Sequence, residues 1–223
     1  TLVNPEPHTF REQVWGISSE PEFDWEFFLR VPTQRCKFAF TEDFDYNDVP
    51  QFRILEPVDG RYLFRNFPGD VISAYPETGG VKPIYLQCEE MGGELGPVDR
   101  LFLEYDPSAP EIELAIAEPD EIIEGTRTVL FVDTDDKSLC KYSDNSDGAG
   151  STEYATMEFS FPGEAEKVLR AEHQNVFNVN FVGARKEFVL NTQCKNGGDG
   201  FSEVEQINFL ADYTVRGNIM SVA

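Results

Sequence analysis

Basic residues are scarce in this sequence. Eighteen Lys and Arg stand against 41 Asp and Glu, a formal charge of −23 over 223 residues. Nucleic-acid phosphates need a basic partner, so this balance excludes a nucleic-acid binder, and it argues equally against docking on an anionic membrane surface. The acidity is spread along the chain. It reads as a well-solvated exterior suited to a cation-rich or saline medium, with weak divalent-ion binding as the other use of such a surface. No apolar run approaches the roughly 18 residues that cross a bilayer as a helix, so no membrane span is expected. The first residues, TLVNPEP, have neither a basic region nor an apolar segment. The chain is therefore either cytosolic or a mature form whose signal has been removed.

Catalytic and metal-binding signatures are absent too. There is no G-x-S-x-G, no phosphate-binding Gly-rich loop and no N-x-[ST] acceptor. The two histidines, His8 and His173, lie in polar contexts without ligand spacing, and no C-x-x-C occurs, so a zinc site is not expected. Carboxylates are plentiful, but glycosidase chemistry needs two of them at a set separation in a cleft, which a sequence does not display. No enzyme is expected.

Cysteine is rare, and its placement is informative. Cys36 and Cys88 are 52 residues apart, and Cys140 and Cys194 are 54 apart. The first members lie 104 residues from each other, the second members 106. Four cysteines allow three pairings, and the repeat selects Cys36–Cys88 with Cys140–Cys194. The competing state is four reduced, buried thiols. Bridges closing loops of this length stabilise a fold by about 4 kcal/mol in the chain-entropy model and persist in oxidising compartments, so a secreted or cell-surface protein is expected. The repeat extends further: CKF at Cys36 returns as CKY at Cys140, Gln87 and Gln193 precede the second cysteines, and Gly-Gly follows them at Gly92–Gly93 and Gly197–Gly198. Then come the apolar runs VDRLFLEYD from Val98 and VEQINFLADY from Val204. A period near 105 marks tandem domains.

Short segments with period-two alternation, such as Trp25, Phe27, Leu29 and Val31, alternate with turn-rich pieces such as PETGG and SDNSDGAG. About seven strands per 100 residues describe an immunoglobulin-like β-sandwich. The expectation is an all-β chain of two tandem immunoglobulin-like β-sandwiches with one intradomain disulfide each, residues 1–106 and 107–212, followed by an extra strand at 213–223. In the second unit strands are expected near 111–117, 126–133, 138–143, 153–160, 175–182, 186–194 and 203–211. Gly163 to Gln174 is the best helical candidate, or equally a loop with one turn of helix.

The stretch Val129 to Ser143, VLFVDTDDKSLCKYS, followed by an aliphatic-x-C strand and a Gly-Gly turn, resembles the Ig-like and fibronectin-type-III-like repeats of secreted microbial proteins. CKNGGDG matches the second motif only loosely, and in the first unit CKFAF lacks the Ser. The resemblance implies that each bridge links two strands of one sheet, and it brings no catalytic residues.

Shifting the first unit's exit by 107 sets the tail on the opening strand of the second unit, with Ile219 in the place of Ile112. The tail then reads as the first strand of a domain that is not present. It could be the stub of a longer array, fold back as an edge strand, or insert into the next subunit by β-strand addition, as many pilus subunits do. The exchanging side chains would be Val215, Ile219, Met220 and Val222, and the product a homo-oligomer or head-to-tail filament. The longer N-terminal segment, Thr1 to Glu20, is the other candidate partner element.

Two acidic groups could hold Ca²⁺: Asp133, Asp135 and Asp136 in a loop expected to end a strand, and Asp144 and Asp147 in DNSDG. The same residues are ordinary turn composition, and no EF-hand loop is complete. Trp15 and Trp25 could stack on sugar rings if exposed. Trp25 lies on the inward face of its strand and Trp15 is less constrained. The leading expectation is a non-enzymatic structural protein of a surface filament or array, and the alternative is an adhesin or carbohydrate-binding module.

Overall fold

A computed structural model describes residues 2–4, 7–10, 13–20, 22–29, 33–48, 54–55, 57–58, 61–68 and 80–214. The chain divides into two compact units, Thr1–Ser108 with Gly197–Asp199, and Ala109–Asn196 with Gly200–Ala223. Among the described residues the helical pieces are a 3-10 turn at Tyr154–Thr156 and 3-10 backbone at Thr214; the remaining regular structure is strand.

The first unit holds β1 (Leu2–Asn4), β2 (Pro7–Phe10), β3 (Gln13–Ser18), β4 (Glu22–Phe28), β5 (Thr33–Ala39), β6 (Ile54–Leu55), β7 (Pro57–Val58), β8 (Arg61–Pro68), β9 (Gly80–Glu90) and β10 (Asp99–Tyr105). They form one sheet in the order β1-β4-β8-β7 and another in the order β2-β3-β10-β9-β5-β6. Alternation decides which side chains lie between the sheets. Trp25 and Phe27 from the first sheet meet Phe38, Ile84, Leu86 and Leu103 from the second. Trp25 sits edge-on to Phe38 at 5.0 Å, and Phe27 stacks on Tyr62 at 5.1 Å. Aromatic pairs of this geometry add about 1 kcal/mol each beyond their buried area.

The second unit holds β11 (Ile112–Glu118), β12 (Glu121–Ile122), β13 (Arg127–Asp144), β14 (Phe159–Ser160), β15 (Arg170–Asn178), β16 (Arg185–Lys195) and β17 (Glu205–Asp212). The first half of β13 pairs with β11 and β15, and its second half with β16 and β14. β17 follows β16, and β12 lies parallel beside the end of β17. The core runs through Leu130, Val132, Tyr142, Phe161, Phe188, Leu190, Ile207 and Phe209.

Three local expectations are corrected. The strands placed at 126–133 and 138–143 are one strand, β13, whose pairing with β15 shifts between Asp133 and Ser138. A bent strand of this kind passes from one sheet to the other. Its polar groups at the bend are satisfied internally: the Thr134 hydroxyl donates to the Asp136 carbonyl at 2.6 Å and lies 3.1 Å from the Ser138 hydroxyl. Second, 153–160 is a 3-10 turn plus two strand residues. Ser151 Oγ accepts the Glu153 N–H, and Gln193 Oε1 accepts the Tyr154 N–H at 2.8 Å, so side chains hold the backbone that a strand would have needed. Third, the 163–174 helix candidate is a turn followed by strand. Gly163 has φ +105°, and a Cβ there would meet the Val168 carbonyl at 2.7 Å. Strand β15 starts at Arg170, earlier than expected, because buried His173 extends the inward alternation.

His173 is 3% exposed and its Nε2 lies 3.1 Å from Ser138 Oγ, itself fully buried. Burial drives the imidazole pKa down to about 4, against a smaller opposing contribution from the Arg170 backbone. The unfolded chain takes up this proton near pH 6.5, while the folded protein refuses it until about pH 4. Below 6.5 the unfolded state therefore binds more protons, and stability is lost as pH falls through that window. The loss reaches about 3 kcal/mol at one pKa unit per ~1.4 kcal/mol. Urea unfolding between pH 7 and 4 is expected to show this fall in the native sequence and to lose that component in His173→Gln; equal pH slopes in the two would contradict it.

Candidate functional site

The duplicated sequence motif is a strand clamp. Cys36 and Cys88 face each other directly on β5 and β9, as do Cys140 and Cys194 on β13 and β16. Each pair is disulfide-bonded, with Cα atoms 4.0 and 4.1 Å apart. Both bridges join neighbouring strands of one sheet.

The residues around each bridge have matching duties. The aromatics Phe38 and Tyr142 point into their cores. The intervening lysines lie on the opposite face, where Lys37 Nζ sits 4.4 Å over the Tyr46 ring and Lys141 Nζ 4.8 Å over the Tyr154 ring. These are cation–π contacts that settle a charged head against the sheet. Lys141 also pairs with Glu164 at 3.3 Å. Burial raises the Tyr154 pKa, with the Glu164 charge adding to it, so this phenol stays protonated.

The glutamines explain why the repeat includes them. Gln87 Nε2 donates to the Gly96 carbonyl and Gln193 Nε2 to the Ser202 carbonyl, both at 2.9 Å. The returning chain donates back, Gly96 N–H to Cys88 and Ser202 N–H to Cys194, again both at 2.9 Å. Each glutamine thus fixes the hairpin that leads to the last strand, β10 or β17. Gly93 (φ +84°) in the first hairpin corresponds to Asp199 (φ +65°) in the second. The Gly-Gly pairs read from the sequence are therefore offset by one residue in structural register.

That register continues to each unit's exit. Asp106 Oδ1 accepts from the Ser108 N–H and hydroxyl, at 3.2 and 2.7 Å. Asp212 Oδ1 accepts from the Thr214 N–H, at 2.9 Å, and from its hydroxyl. Those two bonds from Thr214, helped by Arg185, hold the Asp212 pKa below the usual carboxylate value. Gln87 and Gln193, Cys88 and Cys194, Gly96 and Ser202, and Asp106 and Asp212 are each 106 residues apart. The exits therefore match at 106, one residue from the 107 expected. The proposed exchanging residues Val215, Ile219, Met220 and Val222 lie outside the described residues.

The first of the two acidic groups is placed differently from expectation. Asp133, Asp135 and Asp136 lie within β13, not in a terminal loop. Asp135 accepts the Glu111 N–H at 2.7 Å, and Asp136 accepts the Lys137 N–H at 2.6 Å. Asp144 accepts from Ser146, and Asp147 from Ala149, in turns. Among the described residues no three His, Cys, Asp or Glu side chains gather as a group that could hold a metal. Trp15 is 9% exposed and stacks on Phe102 at 4.8 Å, and Trp25 is fully buried, so neither offers a sugar platform. Ser138 and His173 form a serine–histidine contact sealed in a core, beyond reach of a substrate.

One feature of the second unit had no sequence signal. An open groove of about 650 Å³ lies between β11 and β17, lined by Ala115 to Asp120 with Gln206 and Asn208. It depends on which strand covers which sheet edge, and no residue type marks that.

No protein-family model and no curated protein matches the sequence. The solved structures similar to it include fibronectin(III)-like modules of Clostridium thermocellum CbhA, at 7% identity over 95% of this chain and 93% of that one, TM-score 0.37. The FN1-FN3 domains of chicken CNTN1 are 9% identical over 92% of this chain and 65% of that one, TM-score 0.41. A tetra-tandem repeat in the extending region of a large adhesion protein is 11% identical over 88% of this chain and 46% of that one, TM-score 0.31. At these values the likeness carries no argument, and the fold stands on the chain's own strands and bridges.

Proposed function

We propose that this chain is a non-enzymatic structural protein of the cell exterior, whose tandem sandwiches join head to tail in a surface filament or array through residues 215–223, which would add as a strand to the next copy. The observation that carries this reading is the repeated exit. The turn at Asp106–Ser108 delivers the chain to β11, the opening strand of a sandwich, and the turn at Asp212–Thr214 is built from the same hydrogen bonds. On the 106-residue register, Met220 and Val222 take the places of Leu114 and Ile116. The small residues Ser221 and Ala223 take those of Ala115 and Ala117, which face the core side. A strand with this pattern buries its small face only against another sandwich, and main-chain hydrogen bonds to a sheet edge would hold it there.

Two disulfides support an oxidising location, and the acidic exterior keeps such a chain soluble at high concentration. Head-to-tail addition is not self-complementary, so it generates open filaments instead of closed dimers. Sedimentation and electron microscopy of the purified chain are expected to show concentration-dependent oligomers or filaments, and removal of residues 215–223 to weaken association at least tenfold with the disulfides intact. The same size distribution with and without those residues would contradict the proposal.

A further inference from the structure

The two units close the edge of their last strand differently. In the first unit β3 runs parallel to β10 and pairs with Phe102, Leu103, Glu104 and Tyr105 through Trp15, Gly16, Ile17 and Ser18. In the second unit β12 pairs with β17 only through Glu121 and Ile122, opposite Leu210 and Ala211. The 106-residue register makes Leu210 and Ala211 the counterparts of Glu104 and Tyr105. The counterparts of Phe102 and Leu103 are Asn208 and Phe209, which pair with β16 on one side; on the other side no strand pairs with them among the described residues.

The direction of the free groups follows from one hydrogen bond. The Leu210 N–H donates to the Asp120 carbonyl at 2.8 Å, on the side away from β16. Backbone groups of a strand alternate sides, so the amides of Asn208 and Gln206 point the same way. They face the groove between β11 and β17, whose lining includes both residues. An unpaired strand edge of this kind is a template for another strand.

We infer that this groove is the acceptor for residues 215–223 of a second copy, which would lie along β17 where β3 lies along β10. This rests on the head-to-tail reading above and names the surface that reading needs. The edges of β13 are not available, since β11 and β15 occupy both sides of its first half and β14 and β16 both sides of its second. Charge favours the same pairing. In a chain of net charge −23, residues 215–223 carry one charged side chain, Arg216. The groove is lined by the exposed carboxylates Glu118 and Asp120, with no ion pair to either among the described residues. Opposite charges across such an edge set orientation and suppress wrong partners.

Proline offers a selective test, because it removes one N–H and is tolerated where that N–H faces outward from a sheet. In Asn208→Pro the lost N–H is the groove-facing one, and the β16–β17 ladder keeps its bonds. Association measured by sedimentation is expected to weaken at least tenfold in Asn208→Pro and to stay within about twofold of the native chain in Asn208→Ala, which retains the N–H. A photo-crosslinking p-benzoylphenylalanine at position 208 gives a readout free of proline's effect on folding; its intermolecular adducts are expected within residues 215–223. If removing 215–223 abolishes assembly while Asn208→Pro assembles normally, or if adducts map elsewhere, the groove is not the acceptor although head-to-tail joining stands. If assembly survives loss of 215–223, both proposals fall.

Discussion

Each unit is organised around one pair of adjacent strands held in register by a covalent bond between directly opposed residues. In a sheet a slip of one residue turns every side chain to the wrong face. The Cys36–Cys88 and Cys140–Cys194 bridges forbid that slip. With register fixed, Phe38 and Tyr142 must point inward, Lys37 and Lys141 outward, and the preceding glutamines must face the returning hairpin.

From that clamp the constraint passes along the chain. The glutamine amides set the hairpins, the hairpins set β10 and β17, and these strands end at Asp106 and Asp212 with the same carboxylate-capped turn. The last strands of the two units thus correspond residue for residue, and the difference in how their edges are covered is a difference in covering strand alone. The first unit brings a four-pair strand to that edge and the second brings two residues. An open edge on the unit whose own exit leads to residues 215–223 is what the proposed head-to-tail assembly requires.

Much of the architecture was legible in the sequence. The strands at Arg185–Lys195 and Glu205–Asp212 follow the alternation of their apolar residues, and the cysteine spacing selected the bridges that form. What escaped was nonlocal. Asp135 and Asp136 look like turn residues, yet the Thr134 and Ser138 hydroxyls let β13 continue through them as a bent strand. Tyr154 reads as a strand residue, but its N–H is captured by a glutamine 39 positions away. The Gly-Gly pairs, 105 residues apart, fall one residue out of the 106-residue register because the second hairpin uses Asp199 where the first uses Gly93. Trp15 looked unconstrained because its partner, Phe102, lies at the far end of the unit's sequence.

Residue-resolved amide hydrogen exchange tests the central claim, that the uncovered edge of β17 is the joining surface. Exchange reports the local opening and covering of individual backbone groups. The Leu210 amide, bonded to Asp120, should exchange slowly at every protein concentration, while those of Gln206 and Asn208 should exchange fast in dilute solution and become protected on assembly. A protected Asn208 amide in the dilute chain, or one that exchanges as fast in the assembled state as in the dilute one, would contradict the account.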